Sequence, residues 1–233
     1  MLLNVSLAPD ASEFDGGAQD FLVLLRALKK VKYFDVEFDS YFGKPLQHET
    51  EFLNGFLEHD LEAAADNLQG QAIHNVHVVG VDYWWGTPDL TRTGVTIDFT
   101  KPHAVEGHKI DLFIETIDSV ITWKRPQHVR CGPGMYFLND HPLDKARSGI
   151  GWLGWLPFDL SPAEVPEAAI LLPMQGGTFV ASQRDWWVAA GPDRDTAAVH
   201  RAQALELRLN VLGVLPTNIE LRRGGWGQAG VRP

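Results

Sequence analysis

Gly149-Ile150-Gly151-Trp152-Leu153-Gly154 satisfies G-x-G-x-x-G, the spacing by which a strand–turn–helix unit presents backbone N–H groups to a pyrophosphate. That chemistry needs a strand before the glycines and a helix after them. Here Lys145-Ala146-Arg147-Ser148 precedes the motif, and Trp155-Leu156-Pro157 follows it with a proline that forbids the helix. The indoles would also crowd an approaching phosphate. The segment therefore reads as a Gly-rich aromatic strand in the core, and no nucleotide cofactor is expected.

Nine histidines raise the question of a metal. His74 and His77 are three apart at the start of an expected strand, a spacing that places them on opposite faces. His48-Glu49 lacks the second histidine of H-E-x-x-H, because position 52 is Phe. His103, His108 and His128 stand near expected turns or helix ends without a patterned partner, so they read as scattered surface residues rather than metal ligands. The single Cys131 can close neither an intramolecular disulfide nor a thiolate zinc site. Its neighbour Arg130 could lower the thiol pKa, but a lone cysteine in an expected strand is more often a small core residue. There is no G-x-S-x-G elbow, no phosphate-binding loop ending in Gly-Lys-Ser/Thr and no S-x-x-K. No acidic residue has a lysine two positions later, as a metal-dependent nuclease of the restriction-endonuclease type requires. Enzymatic chemistry is left only to a His and acid site assembled from distant positions.

The elements that would position these residues are read from periodicity. Leu2–Leu7 suits a short opening strand. Phe21, Leu24, Leu25, Leu28 and Val31 describe one helix face, with Ser12 as an N-cap and Lys29, Lys30 and Lys32 near the C-terminal end. Residues 33–42 alternate aromatic or apolar with acidic, which suits an extended segment presenting Asp35, Glu37 and Asp39 on one side. Residues 48–66 suggest a second helix, with Phe52, Phe56 and Leu57 inward and Glu51, Glu58 and Glu62 outward. Val76–Trp85 and Gly94–Thr100 read as strands around a turn at Gly86-Thr87-Pro88-Asp89. Ile110, Phe113, Ile114, Ile117, Val120 and Ile121 predict a helix with Leu112 as the outlier, ended by Pro126. Val129–Leu138, Ile150–Leu156, Ala168–Leu172 and Thr178–Ala181 read as extended pieces. Ala198, Ala202, Leu205, Leu209 and Leu212 repeat with helical spacing, and Pro216 closes that helix.

The 233 residues carry 20 Lys and Arg against 30 Asp and Glu, a net charge of −10. Residues 1–66 hold 13 acids and 5 bases, a balance of −8, so the excess sits in the first quarter. With a pI of 5.3 the chain lacks the basic footprint that direct nucleic-acid binding needs. No uncharged apolar run is long enough to span a membrane, and the N-terminus has no basic region of a secretory signal, so a cytoplasmic location is expected. The eight tryptophans include the pairs Trp84-Trp85 and Trp186-Trp187, with Trp152 close to Trp155. Neighbours in a strand face opposite sides, so one ring of each adjacent pair points away from the core unless another layer covers it. Such rings suit core filling or an interface.

Gly149 through Pro157 resembles a Gly-Trp strand ending in Leu-Pro from a bacterial immunity-protein family, number fifty-two in the catalogue of polymorphic-toxin immunity proteins. Ala198-Val199-His200-Arg201-Ala202 through Leu205-Glu206-Leu207 to Leu215-Pro216 is similar to that family's final helix. The order of elements agrees over most of residues 1–216, while Tyr33–Phe42 and the stretch after Pro216 have no counterpart. The resemblance implies an α+β protein encoded beside a toxin, usually a nuclease of restriction-endonuclease-like fold delivered between competing bacteria, often by a type VI secretion system.

The expectations are therefore an α+β fold, with an antiparallel or mixed sheet packed by three to four helices. They place a single domain over residues 1–216 and a mobile Gly- and Arg-rich tail over 217–233. The chain is expected to be an immunity protein rather than an enzyme, without cofactor or metal and with no direct contact to nucleic acid or membrane. Its partner would be a cognate toxin with a basic nuclease domain, met by Asp35, Glu37, Asp39, Glu51, Glu58 and Glu62, or else by the Trp84-Trp85 turn. A non-catalytic adaptor with a Trp-rich binding surface is the alternative, and the assembled His and acid enzyme site is a third.

Overall fold

Val5 and Leu3 lie at the centre of the molecule because their strand is paired on both edges. In the computed structural model, which describes residues 2–7, 18–31, 39–40, 61–65, 75–84, 91–100 and 109–228, β1 (Leu2–Ser6) sits between β5 (Thr91–Thr100) and β6 (His128–Gly132). Leu3 pairs with Ile97 on one side and Cys131 on the other. From β5 the sheet continues outward through β4 (Asn75–Trp84) and β3 (Leu61–Ala65) to β2 (Asp39–Ser40). From β6 it continues through β7 (Leu153–Leu156) and β9 (Gly177–Ala181) to β8 (Ile170–Met174). All pairs in this nine-stranded sheet are antiparallel, so the fold is α+β as expected.

Two helices supply the first core. α1 (Ala18–Leu28) buries Leu22, Leu24, Leu25 and Leu28, and it packs on α2 (Lys109–Trp123). Leu112, expected as the outlier of α2, is fully buried with Phe113 and Ile117. The helix is covered on more than one side, so its apolar residues need not share one stripe. The second core lies on the other face of the sheet. On β9, Phe179 and Ala181 enter the first core while Val180 enters the second with Leu156, Phe158, Leu205 and Leu209. Every residue of β7 and β9 is buried for this reason. The long helix α4 (Thr196–Val211) spans both cores, giving Ala198, Val199 and Ala202 to the first and Leu205 and Leu209 to the second. Asp195 caps it by accepting the Ala198 N–H at 2.9 Å.

Three expectations are corrected. The helix expected over residues 48–66 does not hold at 61–65, where Leu61-Glu62-Ala63-Ala64-Ala65 is strand β3, because the ladder to β4 overrides helix propensity; residues 48–60 and 66 lie outside the described residues. The extended piece expected over Val129–Leu138 stops at Gly132. Pro133, with φ −62°, then starts the short helix α3 (Gly134–Asn139). The stretch after Pro216 is not a mobile tail as far as Gln228. Thr217 and Glu220 form a capping box for α5 (Asn218–Arg223), and Trp226 is buried against Phe158 with its ring centroid 5.7 Å away. Five helices are thus described where three to four were expected, the additional ones being six residues each.

Gln127 ties this last segment to the centre. Its side-chain amide donates to the carbonyls of Leu7 and Leu221, and its oxygen accepts the Trp226 N–H at 3.0 Å. Trp226→Ala is expected to cost about 3 kcal/mol of stability through the cavity left beside Phe158. Urea denaturation would show this as a lowered midpoint with an unchanged slope, whereas a midpoint equal to wild type would place residues 217–228 outside the cooperative unit.

Candidate functional site

Of the residues expected to face a partner, the described part of the chain places Asp39, Glu62 and Trp84. They fall on β2, β3 and β4, three neighbouring strands at one end of the sheet. Asp39 pairs with Ala64, two residues from Glu62, so the register puts Asp39 and Glu62 on the same face. Glu62 pairs with Val79, and Trp84 lies an odd number of residues beyond Val79, so it belongs to the opposite face. Asp35, Glu37, Glu51, Glu58 and Trp85 lie outside the described residues.

The tryptophans that would have furnished a binding surface in the second half are mostly core. Trp152, Trp155 and Trp187 are buried, and Trp186 is half-buried with its ring centroid 5.4 Å from that of Trp152. The indole N–H of Trp152 donates to the Gln183 carbonyl and that of Trp155 to the Met174 carbonyl, both at 2.9 Å. Cys131 is fully buried, and burial pushes its thiol well above the ordinary range, so it behaves as a small core residue. His128 is buried, not at the surface as its position between elements suggested.

A polar cluster inside the second half went unforeseen. Glu206 lies on the buried stripe of α4, between Ala202 and Leu209, and has no exposed surface. Its Oε2 accepts from the Tyr136 hydroxyl of α3 and faces His141 Nδ1, each at 2.8 Å. Its Oε1 accepts the Gly151 N–H at 2.8 Å. The other ring nitrogen of His141, Nε2, lies 3.1 Å from the Arg147 carbonyl. Burial by itself would pull the His141 pKa down. The hydrogen bond to Glu206, its charge and the Arg147 carbonyl outweigh that burial, while Arg130 opposes them, and His141 holds its proton above the ordinary histidine value of 6.5. Burial, with the Glu206 charge behind it, pushes the Tyr136 hydroxyl far above its ordinary range, so it acts as a donor only.

This cluster explains the glycines of the G-x-G-x-x-G stretch. A Cβ on Gly149 would overlap the Glu206 carboxylate and the His141 ring. Gly151 has φ +67° and lies against Phe137, and a Cβ on Gly154 would run into the Val129 carbonyl. Ile150 to Trp152 is not a regular strand; only Leu153–Leu156 is, with Gly151 bridged to Cys131. The backbone N–H that a dinucleotide site would turn to a phosphate is here turned to the chain's own carboxylate. The missed signal was an acid at Glu206 on the apolar stripe of the last helix, a position that calls for buried donors.

Chemically the cluster is a fastening point, since its carboxylate and hydroxyl are sealed from water. Among the described residues no group of three or more His, Cys, Asp or Glu is placed to hold a metal ion. Among the same residues no helix is long and apolar enough to cross a membrane.

No family model and no curated protein matches the chain. Among solved structures it is similar to the Pseudomonas aeruginosa T6SS protein PA0821, with a TM-score of 0.53 and 10% identity, over 97% of this chain and 81% of that one. At that identity the likeness is one of fold.

Glu206→Gln keeps the volume but removes the charge that faces His141 and sets amide hydrogens against donors. We expect it to lower stability by about 3 kcal/mol, read from chemical denaturation at neutral pH. A loss below about 0.5 kcal/mol would mean that the cluster is not held as an ion pair.

Proposed function

We propose that this chain is an immunity protein of a type VI secretion-related toxin system, a non-catalytic cytoplasmic protein that neutralises a cognate toxin by stoichiometric association. The observation that carries this reading is the likeness of fold to a T6SS protein over nearly the whole chain. The resemblance of the Gly149–Pro157 strand and of the last helix to an immunity family supports it independently of the coordinates. So does the charge. A nuclease must hold a phosphate backbone and so presents a basic face, and a chain of net charge −10 is its electrostatic complement. The toxin proposed is accordingly a basic nuclease domain.

The toxin-facing surface is proposed at the β2–β3–β4 end of the sheet. Asp39 and Glu62 share a face there, in the part of the chain that holds most of the acidic excess. Asp35, Glu37, Glu51 and Glu58 are proposed to extend it. The adaptor alternative loses support because Trp152, Trp155 and Trp187 fill the core and leave little aromatic surface in the second half of the chain.

Neutralising Asp35, Glu37 and Asp39 together is expected to weaken binding to the toxin encoded beside this gene. Truncating an acid that is buried against Arg or Lys at the interface would cost about 2–5 kcal/mol, chiefly through faster dissociation, whereas a rim acid would slow association in a salt-dependent way. The control triple change at the exposed Asp144, Asp159 and Asp193 should leave binding and survival intact. The measurements are a binding titration at two salt concentrations and survival of cells co-expressing the toxin. Equal affinity and survival for the first variant and wild type would move the interface elsewhere, and a neighbouring gene that encodes no toxin would overturn the reading.

A further inference from the structure

We propose that His141 is a pH-sensitive fastener, which holds the 142–148 loop to α3 and α4 while its ring carries two protons and releases the loop when one is lost. The inference does not depend on the toxin reading. Its basis is the geometry of two acceptors. Glu206 Oε2 lies 2.8 Å from Nδ1, and the Arg147 carbonyl oxygen lies 3.1 Å from Nε2. A carbonyl oxygen has no proton to give, and a carboxylate has none either, so both contacts are hydrogen bonds only if both ring nitrogens donate. Only the imidazolium offers that. A neutral ring must turn one lone pair onto an oxygen. The remaining proton stays on Nδ1, against the buried carboxylate, and the bond that fails is the one to the Arg147 carbonyl.

The groups facing the ring come from four elements. From α4 comes Glu206, and from α3 the Tyr136 hydroxyl, which shares the Glu206 Oε2. Asp140, the residue before His141 in the chain, is paired with Arg194 at 2.7 Å. From β6, Arg130 opposes the imidazolium, its guanidinium lying over the Phe137 ring at 4.6 Å. From the loop comes the Arg147 carbonyl, while the Arg147 side chain is turned away to the Leu215 carbonyl. The raised affinity of His141 for its proton agrees with this arrangement. The sign follows directly. A folded-state pKa above the unfolded value contributes stability that is complete below the unfolded value and is lost as pH rises through the folded one.

The loop is also joined to the C-terminal segment. Ser148 N–H donates to the Pro216 carbonyl, Asn218 N–H to the Ala146 carbonyl, and Arg147 Nη1 to the Leu215 carbonyl. Loosening at Arg147 is therefore transmitted to Leu215–Asn218, where α5 begins.

Amide hydrogen exchange and the His141 ring proton shifts, followed by NMR on the full chain from about pH 6 to about pH 9, test this. After correction for intrinsic exchange, the Ser148 and Asn218 amides should lose protection by about tenfold at the midpoint of the His141 titration. Phe179 and Val180 of β9 should not change. In His141→Gln, which keeps a neutral donor but cannot titrate, the step should vanish. A wild-type ring that stays doubly protonated throughout, flat protection across its titration, or a step of equal size in His141→Gln would each overturn the proposal. If His141→Gln does not fold, coincidence of the wild-type step with the ring midpoint decides it.

Discussion

A carboxylate with no access to water has to be met by donors, and Glu206 is met by three from two stretches of chain: the Tyr136 hydroxyl and the His141 ring at the end of α3, and the Gly151 N–H. Other hydrogen bonds reinforce the arrangement: Gln203 of α4 donates to the Asp140 carbonyl, and the Trp152 N–H donates to the Cys131 carbonyl. The carboxylate fixes the short helix α3, the irregular crossing at Gly149–Gly151 and the middle turn of α4 in one relation. Apolar side chains at the same places would bury surface equally well, but they would accept many more arrangements. The glycines at 149 and 151 are consequences of this constraint, since side chains there would occupy the room that the carboxylate and Phe137 need.

The same half of the molecule shows how one sheet serves two cores. Alternate residues of β9 leave in opposite directions, Phe179 toward α2 and Val180 toward α4. A sheet covered on both sides leaves little space between layers, which is why glycine stands at Gly177, where a Cβ would collide with the Trp155 ring and the Leu156 carbonyl. The β8–β9 hairpin is fastened to the end of α2 as well. Arg125 donates to the Gly176 carbonyl at 2.9 Å, and Gln175 donates to Asp118 at 3.1 Å.

Much of this architecture was legible in the residues, and the exceptions have physical causes. β1, β4, β5, α2 and α4 stand where the sequence pattern predicts them: Leu3, Val5 and Leu7 alternate into one core, and Ala198, Ala202, Leu205 and Leu209 keep one buried stripe. β3 was hidden because Leu61–Ala65 has a helix former's composition and becomes a strand only through its partner, which lies further along the chain. α3 was hidden because Met135 to Leu138 is a continuous apolar run with no period, leaving only Pro133-Gly134 to mark the break. The Glu206 cluster was half legible. The acid on the apolar stripe was in plain view, but its donors stand 55 to 70 residues away in sequence, and no local pattern connects them. Of the acidic face, the register supports a shared side for Asp39 and Glu62 only.

The placement of β1 bears on how the chain must be made. Residues 2–6 form the middle of the sheet, yet their two partners are residues 94–98 and 128–132. On a ribosome adding roughly 5–20 residues per second, the strand waits on the order of 6–25 s for its second edge. During that interval Leu3 and Val5 have no ladder, and the sheet exists at best as separate hairpins. Closure of the centre is therefore a late, long-range event, and residues 2–6 find their place only after the two strands that flank them have been made.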